Sequence, residues 1–235
     1  MSRSSVAPLI GSLLLSGACL NVEDANTNTL NFNFTQPGFA TTWALGVADV
    51  PAARLAEVAA DGGERALPAE LSTNSPALYQ SGTNVSGDLF VFHKKFYDGL
   101  RSNFTYKVSL QVGFVTNYHS GCTTGAGPAV VLKAGASSTE PLAIADAQGV
   151  LRMNIDKGAG TAAGDFTTLG DIRNGLTGCP TTGSFSLNGT TQLRQTLDLT
   201  TDATGGFWLF LGTQSSASGQ RHEIYITQLL VTLHF

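Results

Sequence analysis

The stretch Phe104-Thr105-Tyr106-Lys107-Val108-Ser109-Leu110-Gln111-Val112-Gly113-Phe114 alternates without a break. Phe104, Tyr106, Val108, Leu110, Val112 and Phe114 are apolar, and each residue between them is polar or glycine. In an extended chain successive side chains point to opposite sides, so a period of two sends all the apolar groups to one face. A helix would scatter them around its axis. The segment is a strand with one face in a core and one in water, and it sets the fold class for the chain.

Working outward, strand signals recur at Leu30–Phe34, Thr42–Val47, Leu89–Phe96, Val130–Lys133, Val150–Ile155, Gln192–Leu199, Phe207–Leu211 and His222–Phe235. Turn sequences such as Ser-Gly-Thr-Asn and Gly-Ala-Gly-Pro separate them. Only Ala52–Ala60 reads as a short helix. Many short strands without long amphipathic helices imply an all-β protein, an antiparallel β-sandwich of the jelly-roll kind. Leu89–Phe96, the Asp98-Gly99 turn and the Phe104 strand read together as a hairpin-like unit.

The chain has 235 residues, 42% hydrophobic and 13% charged, with 27 glycines. So few charges argue against disorder. The formal net charge is −4, and no basic cluster extends beyond Lys94-Lys95. Nucleic-acid binding, which needs a basic stripe to displace counterions, is excluded.

The first residues read as an export signal: Arg3, an apolar run Val6–Leu15 too short to span a bilayer, then Ser16-Gly17-Ala18-Cys19. Ser16-Gly17-Ala18 suits ordinary signal peptidase. Leu15–Cys19 also resembles the bacterial lipobox, with Ser16 departing from the usual leucine. Lipidation at Cys19 is favoured, because it accounts for an odd cysteine count. The chain then divides into a signal peptide (1–18), a lipid-anchored flexible tether (19–28) and one domain (29–235). Leu20 after the lipidated cysteine favours the outer membrane of a bacterial cell envelope. The other two cysteines, Cys122 and Cys179, lie in Gly-rich loops and are expected to form a disulfide.

Two resemblances follow. Gly99-Leu100, Asn103 and Tyr106 form a corner that resembles those of jelly-roll carbohydrate-binding modules, where it is structural. A longer set of pieces resembles an uncharacterised family of bacterial exported lipoproteins. It comprises Phe32-Asn33-Phe34, Trp43–Asp49, Ser81–Asn84, Asp88–Lys95, Gly99-Leu100 with Asn103 and Tyr106, Val131–Gly135, Met153–Gly158, Leu169–Ile172 with Asn174-Gly175, and Trp208 with Gly212-Thr213. Family members commonly carry an aromatic and a proline after the Ala-Asp pair, whereas Asp49-Val50-Pro51 has no aromatic. The resemblance implies export and a β-fold, and brings no established activity.

Candidate chemistry is sparse. Asn154 and Asp156 share a strand face and could contribute to a calcium site, although calcium needs six to eight oxygens and Lys157 stands beside them. Gly158–Gly164 imitates a dinucleotide loop but no helix follows it. There is no nucleophile-elbow or His-Glu-x-x-His motif. Tyr79, Tyr97 and Tyr118 lie near loops and could stack on a sugar, whereas Trp43 and Trp208 sit in apolar strands and read as core. The expected function is a non-catalytic binding module for a glycan or another surface ligand. The alternatives are a structural or protein-interaction lipoprotein and, third, a hydrolase, which would need clustered carboxylates or a Ser-His pair in one cleft.

Overall fold

The computed structural model describes residues 26–158 and 164–235. The signal segment, Cys19 and the middle of the Gly158–Gly164 loop lie outside them.

The strands are β1 (Thr27–Asn33), β2 (Ala44–Ala48), β3 (Val50–Pro51), β4 (Asp61–Ala66), β5 (Pro76–Thr83), β6 (Leu89–Tyr97) and β7 (Thr105–Thr116). They continue with β8 (Val130–Ser137), β9 (Ala143–Ala145), β10 (Val150–Met153), β11 (Phe166–Asp171), β12 (Ser186–Thr200), β13 (Phe207–Ser215) and β14 (Arg221–His234). β1 takes in Thr27 and Asn28, the last two residues of the stretch read as a tether. Helix among the described residues is limited to single turns, α1 (Leu55–Val58), α2 (Ala126–Ala129) and three 3-10 turns. The expected helix at Ala52–Ala60 is a 3-10 turn running into α1.

One sheet runs β12-β7-β14-β5-β4, with β1 also on β14; the other runs β11-β8-β13-β6-β2. The antiparallel pairs β8–β11, β7–β12, β6–β13 and β5–β14 are the rungs of one long hairpin rolled around a barrel axis. That winding is the jelly roll. It also corrects the hairpin reading of 89–114. β6 and β7 lie in different sheets, so the Asp98-Gly99 turn carries the chain across the sandwich edge. The corner itself forms: Tyr106 Oη accepts from the Arg101 N–H at 3.2 Å.

Tyr106, Val108, Leu110, Val112 and Phe114 of β7 all enter the core between the sheets. Leu229, Val231 and Leu233 of β14 join them, and Leu132, Leu209 and Leu211 face them from the other sheet. Burying that many large side chains at roughly 25 cal/mol per Å² dominates the stability of the fold. Trp43 closes the core edge-on between Phe32 and Phe34, at 5.6 and 5.4 Å.

The β11-β8-β13-β6-β2 sheet has a second apolar side. Phe90, Phe92 and Phe210 alternate with the core residues and point outward. They pack with Phe166 and Ile155, with Met153 and Ala143 of the small β3-β10-β9 sheet against them. Trp208 belongs to this outer side, contrary to its reading as sandwich core. Its ring lies 5.3 Å from that of Phe96, which is 40% exposed.

Candidate functional site

β14 is paired along one edge by β7 from Tyr225 to His234. Along the other edge it pairs with β5 through Arg221–Ile226 and then with β1 through Gln228–His234. Thr227 stands at the change of partner. It is also the extra residue of a bulge, with Ile226 opposite Phe114 and Gln228 opposite Gly113. Bulges redirect side chains and interrupt pairing. Here two strands abut end to end along one edge, β7 contributes no side chain at Gly113, and the outer surface of the sheet dips.

The dip is a cleft of about 520 Å³, within the range of small-ligand sites. Its apolar lining comes from Leu67, Leu71, Val115 and Leu187. Its polar lining is Asn33, Thr35, Thr73, Ser75, Thr227 and Gln228. None of these is charged. Asn33 Oδ1 accepts from the N–H and hydroxyl of Thr35, at 3.1 and 2.7 Å, and Gln228 Nε2 donates to Asn31 Oδ1 at 3.1 Å. Asn33 Nδ2 and Gln228 Oε1 are then left without a protein partner among the described residues. One wall is tied across by Glu70, whose carboxylate accepts from the Phe185 N–H at 3.2 Å.

Above the cleft the same face carries an aromatic cluster. Tyr225 lies between Tyr79 and Phe185, with ring centroids 4.9 and 5.8 Å away. The Arg65 guanidinium lies 3.7 Å over the Tyr79 ring. Tyr79 Oη donates to Glu223 at 2.9 Å, and the Glu223 N–H donates to Tyr118 Oη at 3.3 Å. Burial pushes the Tyr118 phenol up to about 12, so it stays protonated. Two of the three expected tyrosines thus converge on Glu223 and serve in packing there. Tyr97 lies apart, at the sandwich rim against Phe32 and Phe207.

The disulfide forms, joining Cys122 to Cys179 with 4.8 Å between Cα atoms. It closes a corner in which a Cβ on Gly121 would meet the Gly178 carbonyl at 2.3 Å, so only glycine fits. His119 Nδ1 donates to Thr177 O at 3.3 Å and Nε2 accepts from the Ser184 N–H at 3.0 Å, which uses the whole ring as a neutral brace. Tyr118, His119 and Cys122 border a second cavity of about 270 Å³.

Asn154 and Asp156 are each bonded to backbone of their own loops. Asn154 donates to Glu140 O and accepts from the Leu142 N–H, at 2.9 and 2.7 Å, while Asp156 accepts from the Gly158 N–H at 2.8 Å. Among the described residues no three His, Cys, Asp or Glu side chains are grouped to hold a metal. A third cavity, about 330 Å³, is lined by Asp49, Asp88, Arg54 and Arg152. Both oxygens of Asp49 are occupied, by Arg152 and Lys157, and Asp88 accepts from Gln214. Among the described residues one Ser hydroxyl lies within hydrogen-bond reach of a His ring: Ser109 Oγ is 3.3 Å from His234 Nε2. The pair lies on β7 and β14, whose backbone N–H groups are paired in the ladder.

Sequence reasoning missed the cleft because its parts come from residues 33 to 228. The glycine at 113, the one position in the Phe104–Phe114 alternation without an outward side chain, was the available signal.

No family model matches this chain, and no curated protein matches it in sequence. Among solved structures it is similar to a carbohydrate-binding module described by its specific mannan recognition. The two share 12% identity, over 90% of this chain and all of that one, at a TM-score of 0.42. It is similar to a carbohydrate-binding module of the β-sandwich superfamily, described by its promiscuous specificity, at 10% identity and a TM-score of 0.39. That match covers 83% of this chain and 58% of the other. A third similar structure is the enzymatically active domain of bacteriophage CBA120 tailspike protein 4, at 12% identity and a TM-score of 0.36, over 86% of this chain and 21% of that one.

Proposed function

We propose that this chain is a non-catalytic glycan-binding module, carried on a bacterial cell envelope by a lipid on Cys19. The observation that carries the binding role is the cleft at Thr227. A sugar ring offers an apolar C–H face and a fringe of neutral hydroxyls. The cleft offers four apolar side chains and a fringe of amides and hydroxyls, with no charge to desolvate. Asn33 Nδ2 supplies a donor and Gln228 Oε1 an acceptor for those hydroxyls.

The test is a glycan-array screen followed by calorimetric titration of any hit. Binding without release of reducing ends supports a binding module, and release of reducing ends would make it a hydrolase. Lipidation is tested separately, by metabolic labelling with a fatty-acid probe, which a Cys19→Ser variant should abolish.

One observation favours a protein-interaction role as a second reading. Phe96, Leu142 and Ile144 are 40%, 40% and 53% exposed, and Phe96 leans on Trp208. Exposed large apolar groups mark contact surfaces when they are contiguous. A Phe96→Asp variant that lost co-purifying partners while keeping glycan binding would assign that role to this side of the molecule.

A further inference from the structure

Asp49 joins β2 to β3 with φ of 59°, in the left-handed region that a non-glycine residue adopts only where its surroundings impose it. Its N–H donates to Leu151 O at 2.6 Å. Its side chain is 3% exposed. Arg152 Nη1 binds Oδ1 at 3.0 Å, and Lys157 Nζ is in direct contact with Oδ2. Lys157 is held at both ends: its carbonyl accepts from Lys133 Nζ at 2.8 Å, and its ammonium lies 5.5 Å from the centre of the Phe90 ring. A fixed amine and a fixed carboxyl therefore meet, on segments 108 residues apart, between the Phe90 ring and the cavity lined by Asp49, Asp88 and Arg152.

A buried ion pair is costly, because both charges give up their hydration. Arg152 also binds the same carboxylate, so Asp49 holds two cations at once. Condensation to an amide would remove one positive and one negative charge together. It would leave no charge stranded, since Arg152 is half exposed, also pairs with Asp146, and can still donate to the amide oxygen.

We propose that Lys157 and Asp49 become joined by an intramolecular amide bond. A proton passes from Nζ to Oδ2, and the freed lone pair of Nζ attacks Cγ. Arg152 stabilises the negative charge that develops on Oδ1. A second proton moves from nitrogen to the departing Oδ2 oxygen, which leaves as water through the cavity lined by Asp49, Asp88 and Arg152. One C–N bond forms, one C–O bond breaks, and nothing is oxidised or reduced. The link would fasten the β2–β3 corner to the segment after β10, fixing the small sheet on the Phe90 wall. It is independent of the glycan reading.

The test is peptide mapping of the wild-type chain, reduced and digested with trypsin. If the bond forms, Lys157 is not cut. The peptide ending at Arg54 then stays joined to the one beginning at Met153, lighter by one water than the two combined. A Lys157→Met variant should return the Arg54 peptide alone. Cleavage after Lys157 in the wild type, with both peptides separate and of full mass, would overturn the proposal.

Discussion

Thr227 of β14 lies directly over Gly113 of β7: a Cβ built on that glycine would stand 3.0 Å from Thr227 Oγ1 and 3.6 Å from Gln228 Cβ. The bulge that places Thr227 there and the missing side chain at 113 together make the dip in the sheet. Gly113→Val should therefore push Thr227 and Gln228, which line the cleft, out of place. Titration should show glycan affinity falling at least about tenfold, the equivalent of 1.4 kcal/mol. Circular dichroism should show an unchanged fold.

Leu187 is 59% exposed on the cleft wall. Leu187→Asp would introduce a charge against the sugar face without disturbing the core. Chemical denaturation should change by no more than about 0.5 kcal/mol, as for most surface substitutions, while binding weakens. Because no charge lines the cleft, binding of a neutral glycan should be the same at low and high salt.

Two histidines in the sandwich interior should make stability depend on pH. His93 Nε2 donates to Tyr79 O at 3.1 Å, and Nδ1 is without a partner among the described residues. Gln80 donates to Thr213 Oγ1 at 2.6 Å, which donates in turn to His222 Nε2 at 2.8 Å. Burial lowers both rings to about 4, and the Arg221 charge adds to the effect at His222. The unfolded chain takes up these protons near the ordinary value of 6.5 and the folded chain only near 4. Their contribution is thus complete above about pH 6.5, falls as pH drops toward 4, and levels off below. The loss is on the order of 3 kcal/mol for each ring. Urea unfolding across pH 3–8 should show this slope, and His222→Asn should reduce it.

The Cys122–Cys179 bridge closes a 57-residue separation. Removing it with Cys122→Ala and Cys179→Ala together should cost about 4 kcal/mol by the loop-entropy estimate. Thermal unfolding of the double variant under oxidising conditions should match that of the reduced wild type. The corner also depends on Asn174, fully buried, whose Nδ2 donates to Thr116 O and Ser184 O at 2.8 and 3.1 Å.

The strands that can be read from sequence are those with one face in the core, and β7 and β14 show it best. β5 hides because it is buried on both sides, so that Ala77 to Gly82 carries no alternation. β4 hides because it is a polar edge strand, Asp-Gly-Gly-Glu-Arg-Ala. The period of β11 is broken by a bulge between Thr168 and Gly170. Trp208 was misread because both faces of its sheet are apolar: Phe207 and Leu209 point to the sandwich core, while Trp208 and Phe210 point to the outer layer. Pairing between distant strands is not a local property. That is why the Asp98-Gly99 turn suggested a hairpin, and why a cleft created by β1 and β5 sharing one edge of β14 left no trace in any single segment.

The most direct trial of the binding role is a side-by-side titration of the wild type and Gly113→Val with the best neutral glycan from the array, with the reducing ends assayed afterwards. The wild type should bind and leave the glycan intact, and the variant should stay folded and bind at least about tenfold more weakly. Equal affinity in both proteins would place the sugar elsewhere, and absence of binding to every glycan would remove the function assigned to the cleft.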